Sequence, residues 1–175
     1  MTPADLKENE YGDYYSKYIS LVAAQDLTDA MEYGCTQMIK LVNSIPPSKY
    51  DFSYAEGKWT VKESLLHLID TERIFAYRAL RFGRGDMTEL AGFDQDEYVP
   101  MAKGHQRSFS AIIKEYKSVR QASISLYKSF DEEMLSRIGT ASNNPFSVRA
   151  LGYIIAGHEI HHRNILNERY LINEI

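Results

Sequence analysis

The stretch from Thr60 to Gly83 constrains this chain more than any other. Thr60 followed by Glu63 is a capping box, in which each side chain accepts a hydrogen bond from the other's backbone N–H at a helix start. Trp59 stands where a hydrophobic staple would sit. Val61, Leu65, Leu68, Ile69, Phe75 and Leu80 then follow helical spacing until Gly83 and Gly85 break the pattern. A helix this long with an apolar stripe must bury that stripe against other elements. Strands are poorly supported as the partner. Tyr11 to Val22 has β-friendly tyrosines, but its apolar residues do not alternate, so it reads as a short helical or extended lead-in.

Three further segments supply helical partners. Asp26 to Val42 opens on Asp26 and Asp29, and Asp26 or Thr28 serves as the cap; Ile45-Pro46-Pro47 stops it. Ser108 to Phe130 carries Ile112, Ile113, Tyr116, Val119, Ile124 and Tyr127. Ser147 caps a last helix through Leu151, Ile154, Ile155, Ile165 and Leu166 toward Leu171. The expectation is an all-α four-helix bundle, one domain over residues 1–175, with a short N-terminal lead-in. A long loop, Asp86 to Gly104, separates the second and third helices, and a loop of that length is functional or carries local structure.

Composition narrows the function. Twenty Lys plus Arg against 24 Asp plus Glu leave a net charge of −4, so no broad nucleic-acid footprint is present. The start lacks a secretory signal and no run is long and apolar enough to span a bilayer, so the chain is expected in the cytoplasm, off the membrane. With Cys35 as its one cysteine, the chain has no disulfide framework and no cysteine-based zinc site. Cys35 itself is expected to be a small buried hydrophobe.

Any metal site must therefore use histidines and carboxylates. His158 and His162 stand four apart, which puts both imidazoles on one side of the last helix. Leu151 and Ile165 fall within about 20° of His158 and Ile155 within about 60°, so the pair faces the core. Two unpartnered histidines there would be costly to desolvate. His67, in the apolar middle of the second helix, is the candidate third ligand, with Asp70 and Thr71 one turn on to hold its free ring nitrogen. Three histidines from two helices leave coordination positions open, the arrangement of a catalytic rather than a closed structural site. His161 lies about 60° off, on the flank, and is the weaker alternative to His162. His105 is expected at the surface.

His158-Glu159-Ile160-His161-His162 also satisfies the short signature of zinc proteases. The longer version needs Gly and His where this chain has Ile165 and Glu168, and no substrate-binding strand is evident. Glu159 lies about 100° round the helix from His158, so a surface role competes with that of general base. Arg78, Arg81 and Arg84 read as a solvated face that could, beside an open metal, hold an anion.

Two phrases carry a resemblance. One is Glu56-Gly57-Lys58-Trp59-Thr60-Val61-Lys62-Glu63, leading into His67-Leu68-Ile69-Asp70-Thr71-Glu72-Arg73. The other is Ser147-Val148-Arg149, then Gly157 to His162, then Glu168-Arg169-Tyr170. Together with Phe93-Asp94 and Val119-Arg120, they resemble the DinB-like superfamily of metal-binding four-helix bundles, in the branch of metal-dependent hydrolases and bacillithiol transferases. The resemblance implies that His67, His158 and His162 hold a divalent ion such as Zn²⁺ or Ni²⁺. It also implies a homodimer and, in some relatives, transfer of a low-molecular-weight thiol to a small electrophile. It fixes no catalytic or substrate-binding residue. The competing expectation is a non-catalytic stress or interaction protein whose metal or histidine network is structural.

Overall fold

The computed structural model describes residues 2–171. Seven helices are present among them: α1 (Ser16–Ile19), α2 (Leu27–Ser44), α3 (Val61–Gly83), α4 (Gln95–Met101), α5 (Phe109–Lys128), α6 (Glu132–Ser136) and α7 (Val148–Ile165). The four long ones start where side chains can cap them. Asp26 accepts from Thr28 N at 3.1 Å, Thr60 from Glu63 N at 3.2 Å, Ser108 from Ala111 N at 3.3 Å and Ser147 from Ala150 N at 3.0 Å. Glu63 completes the box by accepting from Thr60 N at 2.8 Å.

These four helices form the bundle. Both α2 and α3 pack along α5 and along α7. Helices adjacent in sequence, α2 with α3 and α5 with α7, therefore sit on the diagonals, and their connections must cross the ends of the bundle. That explains the long loops. The segment 86–104 contains α4, capped by Asp94, which accepts from Asp96 N at 2.8 Å.

One β-hairpin departs from the all-helical expectation. β1 (Ile138–Ala141) pairs antiparallel with β2 (Asn144–Ser147). Ser142 and Asn143 form its two-residue turn with φ of 50° and 59°, the left-handed conformation such turns require. Leu90 joins the edge: its N–H donates to Thr140 O and its carbonyl accepts from Ser142 N, each at 3.0 Å. The loop after α3 is thereby fastened to the hairpin.

The interior has two apolar cores with a polar layer between them. One core gathers Met31 from α2, Phe75 and Phe82 from α3, Ile124 from α5 and Ile155 from α7. The other gathers Met38, Leu65, Ile69, Tyr116 and Leu166. Between them lie Glu72, Arg120 and Glu159, all buried. Arg120 grips Glu72 through Nε (2.9 Å to Oε1) and Nη2 (2.8 Å to Oε2). Its Nη1 sits 2.7 Å from Glu159 Oε2 and donates to Met31 O at 3.2 Å. Such a charged layer is tolerated only because nearly every polar atom has a partner.

Candidate metal centre

α3 and α7 carry the site into that same polar level. The Nε2 of His158 lies 3.1 Å from the Nε2 of His67 and 3.1 Å from the Nε2 of His162. One ring nitrogen from each of the three lies within 4.8 Å of the others, and all three residues are buried. A single N–H on His158 cannot satisfy two neighbours in different directions, so the cluster is poorly explained by hydrogen bonding alone. Imidazole nitrogens at bonding distance from one tetrahedral zinc stand about 3.3 Å apart. The donor set therefore fits a divalent cation.

Protonation favours the same conclusion. Burial lowers His67 to about 4 and His162 to about 3, the neighbouring histidines adding to the effect. Burial, and the charge of His162, hold His158 well below the ordinary imidazole value. All three are neutral at pH 7, the state that donates to a metal.

The rings are held from several sides. Thr71 Oγ1 reaches His67 Nδ1 at 3.4 Å, while Asp70 turns instead to Arg73. Trp59 packs on the site itself. Its ring leans on His67 with centroids 4.7 Å apart and lies near-parallel to His162 at 6.4 Å. Tyr18 of α1 meets His158 edge-on at 5.2 Å. Gly157 makes that contact attainable, because a Cβ there would overlap the Tyr18 carbonyl.

A cleft of about 600 Å³ opens beside His158, walled by Tyr14, Tyr15, Tyr18, Thr71, Phe75 and Arg78, by residues 92–96 and by Ser142. A smaller one of about 220 Å³ reaches His162 from the other side, past Trp59 and Tyr170.

Other sequence expectations are corrected. Glu159 is 1% exposed and is neither a surface residue nor a base at the histidines. Its carboxylate accepts from Tyr116 Oη at 2.5 Å and pairs with Arg120, and Gly34 leaves the space its Oε1 fills. Burial nonetheless pushes its pKa up, against the pull of Arg120. The three arginines share no solvated face. Arg78 is 2% exposed, whereas Arg81 pairs with Asp86 and Tyr77, and Arg84 lies over the Phe130 ring. The sequence did hold a signal for Arg78, which stands eleven residues after His67 and so about 20° from it round the helix. Two expectations hold: His161 packs edge-on to Tyr18 outside the cluster, and His105 is exposed. Cys35 is half-buried rather than buried, its thiol pushed up by burial.

The DinB superfamily matches residues 31–166, a span that contains all three histidines. The chain belongs to the DinB superfamily. Among solved structures, this DinB chain is similar to YfiT from Bacillus subtilis, described as a probable metal-dependent hydrolase with an unusual four-helix bundle topology. The identity is 15% and the TM-score 0.73, over 94% of this chain and 90% of YfiT. It is also similar to the DinB-like protein YjoA from Bacillus subtilis (19% identity, TM-score 0.59, 82% of this chain and 87% of YjoA). A third is a mycothiol-dependent maleylpyruvate isomerase (13% identity, TM-score 0.64), 93% of this DinB chain aligning with 62% of that protein. At these identities the likeness speaks to the fold. No curated protein sequence matches the chain. Among the described residues, no helix is long and apolar enough to cross a membrane.

Proposed function

We propose that the chain is a divalent-metal-dependent enzyme that transfers a thiol, or water, to a small electrophile. The observation that carries this reading is the convergence of three buried, neutral imidazoles beside an open cleft, with no carboxylate among the described residues closing the set. His67, His158 and His162 would hold the ion, Zn²⁺ or Ni²⁺ suiting imidazole donors. Bound there, the ion supplies a Lewis acid that makes a thiol or a water nucleophilic at neutral pH.

The chain's own groups do the rest. Thr71 fixes the His67 ring and with it the nitrogen presented inward. Trp59 and Tyr18 pack on the rings and keep bulk water from their edges. Tyr15, Phe75 and Phe93 give the cleft an apolar wall for the body of an electrophile. The description of YfiT as a probable metal-dependent hydrolase and the mycothiol dependence of the isomerase support the choice of chemistry.

The test is metal content and turnover measured together. Freshly purified protein should hold about one divalent ion per chain, lost on His158→Ala. Metal-replete protein, offered thiols and a panel of electrophiles, should exceed the rate of His67→Ala. Bound metal with no turnover, and a fold that weakens on chelation, would make the ion a staple between α3 and α7 and overturn the reading.

A further inference from the structure

We propose that Arg78 is the anchor for a carboxylate on the substrate, an inference that rests on the cleft beside His158 being the substrate site. Arg78 lies in the wall of that cleft and is sealed from solvent, yet its guanidinium is only half used. Nη2 donates to Ala91 O at 2.9 Å and to Ser142 Oγ at 2.8 Å, which ties α3 to the following loop and to the hairpin. Nη1 is buried and has no hydrogen-bond partner among the described residues. An unpaired N–H on a buried cation is costly, and a cation without a counter-ion in a closed wall costs more. Around Arg78 the described residues supply neutral acceptors and the Phe75 ring, 5.3 Å from the guanidinium carbon, but no carboxylate paired with it. Asp94 lies along the same cleft, but its side chain caps α4, and Asp96 is exposed. The missing partner is an anion brought by the ligand.

Charge and spacing define that anion further. Among the described residues Arg78 is the one Lys or Arg in the wall of the cleft, and Asp94 and Asp96 share that wall, so a monoanion is matched better than a dianionic phosphate. His67, Thr71 and Arg78 share one face of α3, with a rise of about 16 Å between the first and last Cα. That rise is an upper bound, because the Arg78 side chain leans back toward the helix N-terminus and over the Phe75 ring. A molecule that puts its reacting end at the histidines and its anion at Arg78 is therefore no longer than a short peptide, with a middle that lies against Tyr15 and Phe75. The substrate or co-substrate class is a carboxylate-terminated thiol or electrophile of that length.

The probes are the peptide thiol acetyl-Cys-Phe-Gly and its C-terminal amide, which differ by one charge at the far end. Binding to metal-loaded protein is followed by titration calorimetry. The acid should bind about tenfold more tightly than the amide. Arg78→Met should abolish that preference with little change for the amide, and Arg78→Lys should retain part of it. Circular dichroism shows which variants fold, and the wild-type comparison needs no variant. Equal affinities in the wild type, no binding of the acid, or a preference that survives in folded Arg78→Met would each overturn the proposal. His67→Ala separates the two readings: it should weaken both probes and keep their ratio. If it changes neither affinity while the ratio persists, the metal reading fails and the Arg78 anchor stands.

Discussion

Gly157 and Tyr18 meet backbone to backbone: the Gly157 Cα faces the Tyr18 carbonyl so closely that no Cβ fits between them. Carbonyl groups cannot rotate away as the end of a long side chain can. Gly157→Ala should therefore push α1 off α7, costing about 1–3 kcal/mol in urea unfolding. It should also move the Tyr18 ring from the edge of His158, read as a change in the His158 imidazole resonances by NMR.

Arg120 holds two carboxylates, Glu72 and Glu159, between the apolar cores. Arg120→Met strips Glu72 of its counter-ion and leaves Glu159 only Arg163, whose Nη1 is 3.7 Å from Oε1, and should cost about 3–5 kcal/mol. Adding Glu72→Gln and Glu159→Gln to that variant should recover part of the loss, because the uncompensated charges are then gone. Chemical denaturation of the single and triple variants checks the sign.

Thr71 touches the ring nitrogen of His67 that faces away from the cluster, whereas Asp70 does not. Thr71→Val should lower metal affinity by about tenfold, and Asp70→Asn should leave it unchanged. Competition with a chromophoric chelator measures both.

Glu10 clasps the lead-in to the start of α7. It accepts from Ser147 Oγ and Arg149 Nε at 2.7 Å each and from Lys7 N at 3.1 Å. Burial alone would push its pKa up, but these donors and the Arg149 charge outweigh it, and the net direction is down. A carboxylate depressed on folding stabilises fully above its unfolded value and loses that contribution as pH falls through the folded one. The melting temperature of the wild type should exceed that of Glu10→Gln at pH 7, and the gap should close as pH falls below about 4. A gap that widens on acidification would refute the clasp.

The long helices were legible because their signals are local. Asp26, Thr60 and Ser147 sit where a cap is needed, and the apolar spacing between caps needs no knowledge of partners. His158 and His162 were legible for the same reason, being one turn apart. The hairpin was not. Its turn is Ser142-Asn143 rather than a glycine-bearing pair, and Pro145 stands within β2 opposite Thr140, so neither strand advertises itself. Arg78 was hidden in a three-residue repeat with Arg81 and Arg84. Steps of three advance about 300°, so each member turns away from the last and only Arg78 faces inward. Glu72, Arg120 and Glu159 each continue an apolar stripe four residues after Leu68, Tyr116 and Ile155. A charge in a stripe position is a readable sign of a buried pair, but which charges meet depends on how the helices are arranged.

That arrangement bears on when the site exists. His67 and His158 are 91 residues apart in the chain and belong to helices that touch only after the connections have crossed the bundle ends. The C-terminal half carries two of the ligands, His158 and His162, one turn apart on α7, but neither half holds all three, and no local helical hairpin can preform the full set. Loading with metal therefore reports completion of the whole topology. A truncated or misthreaded chain, however helical, keeps at most the His158–His162 pair and should hold the ion far more weakly.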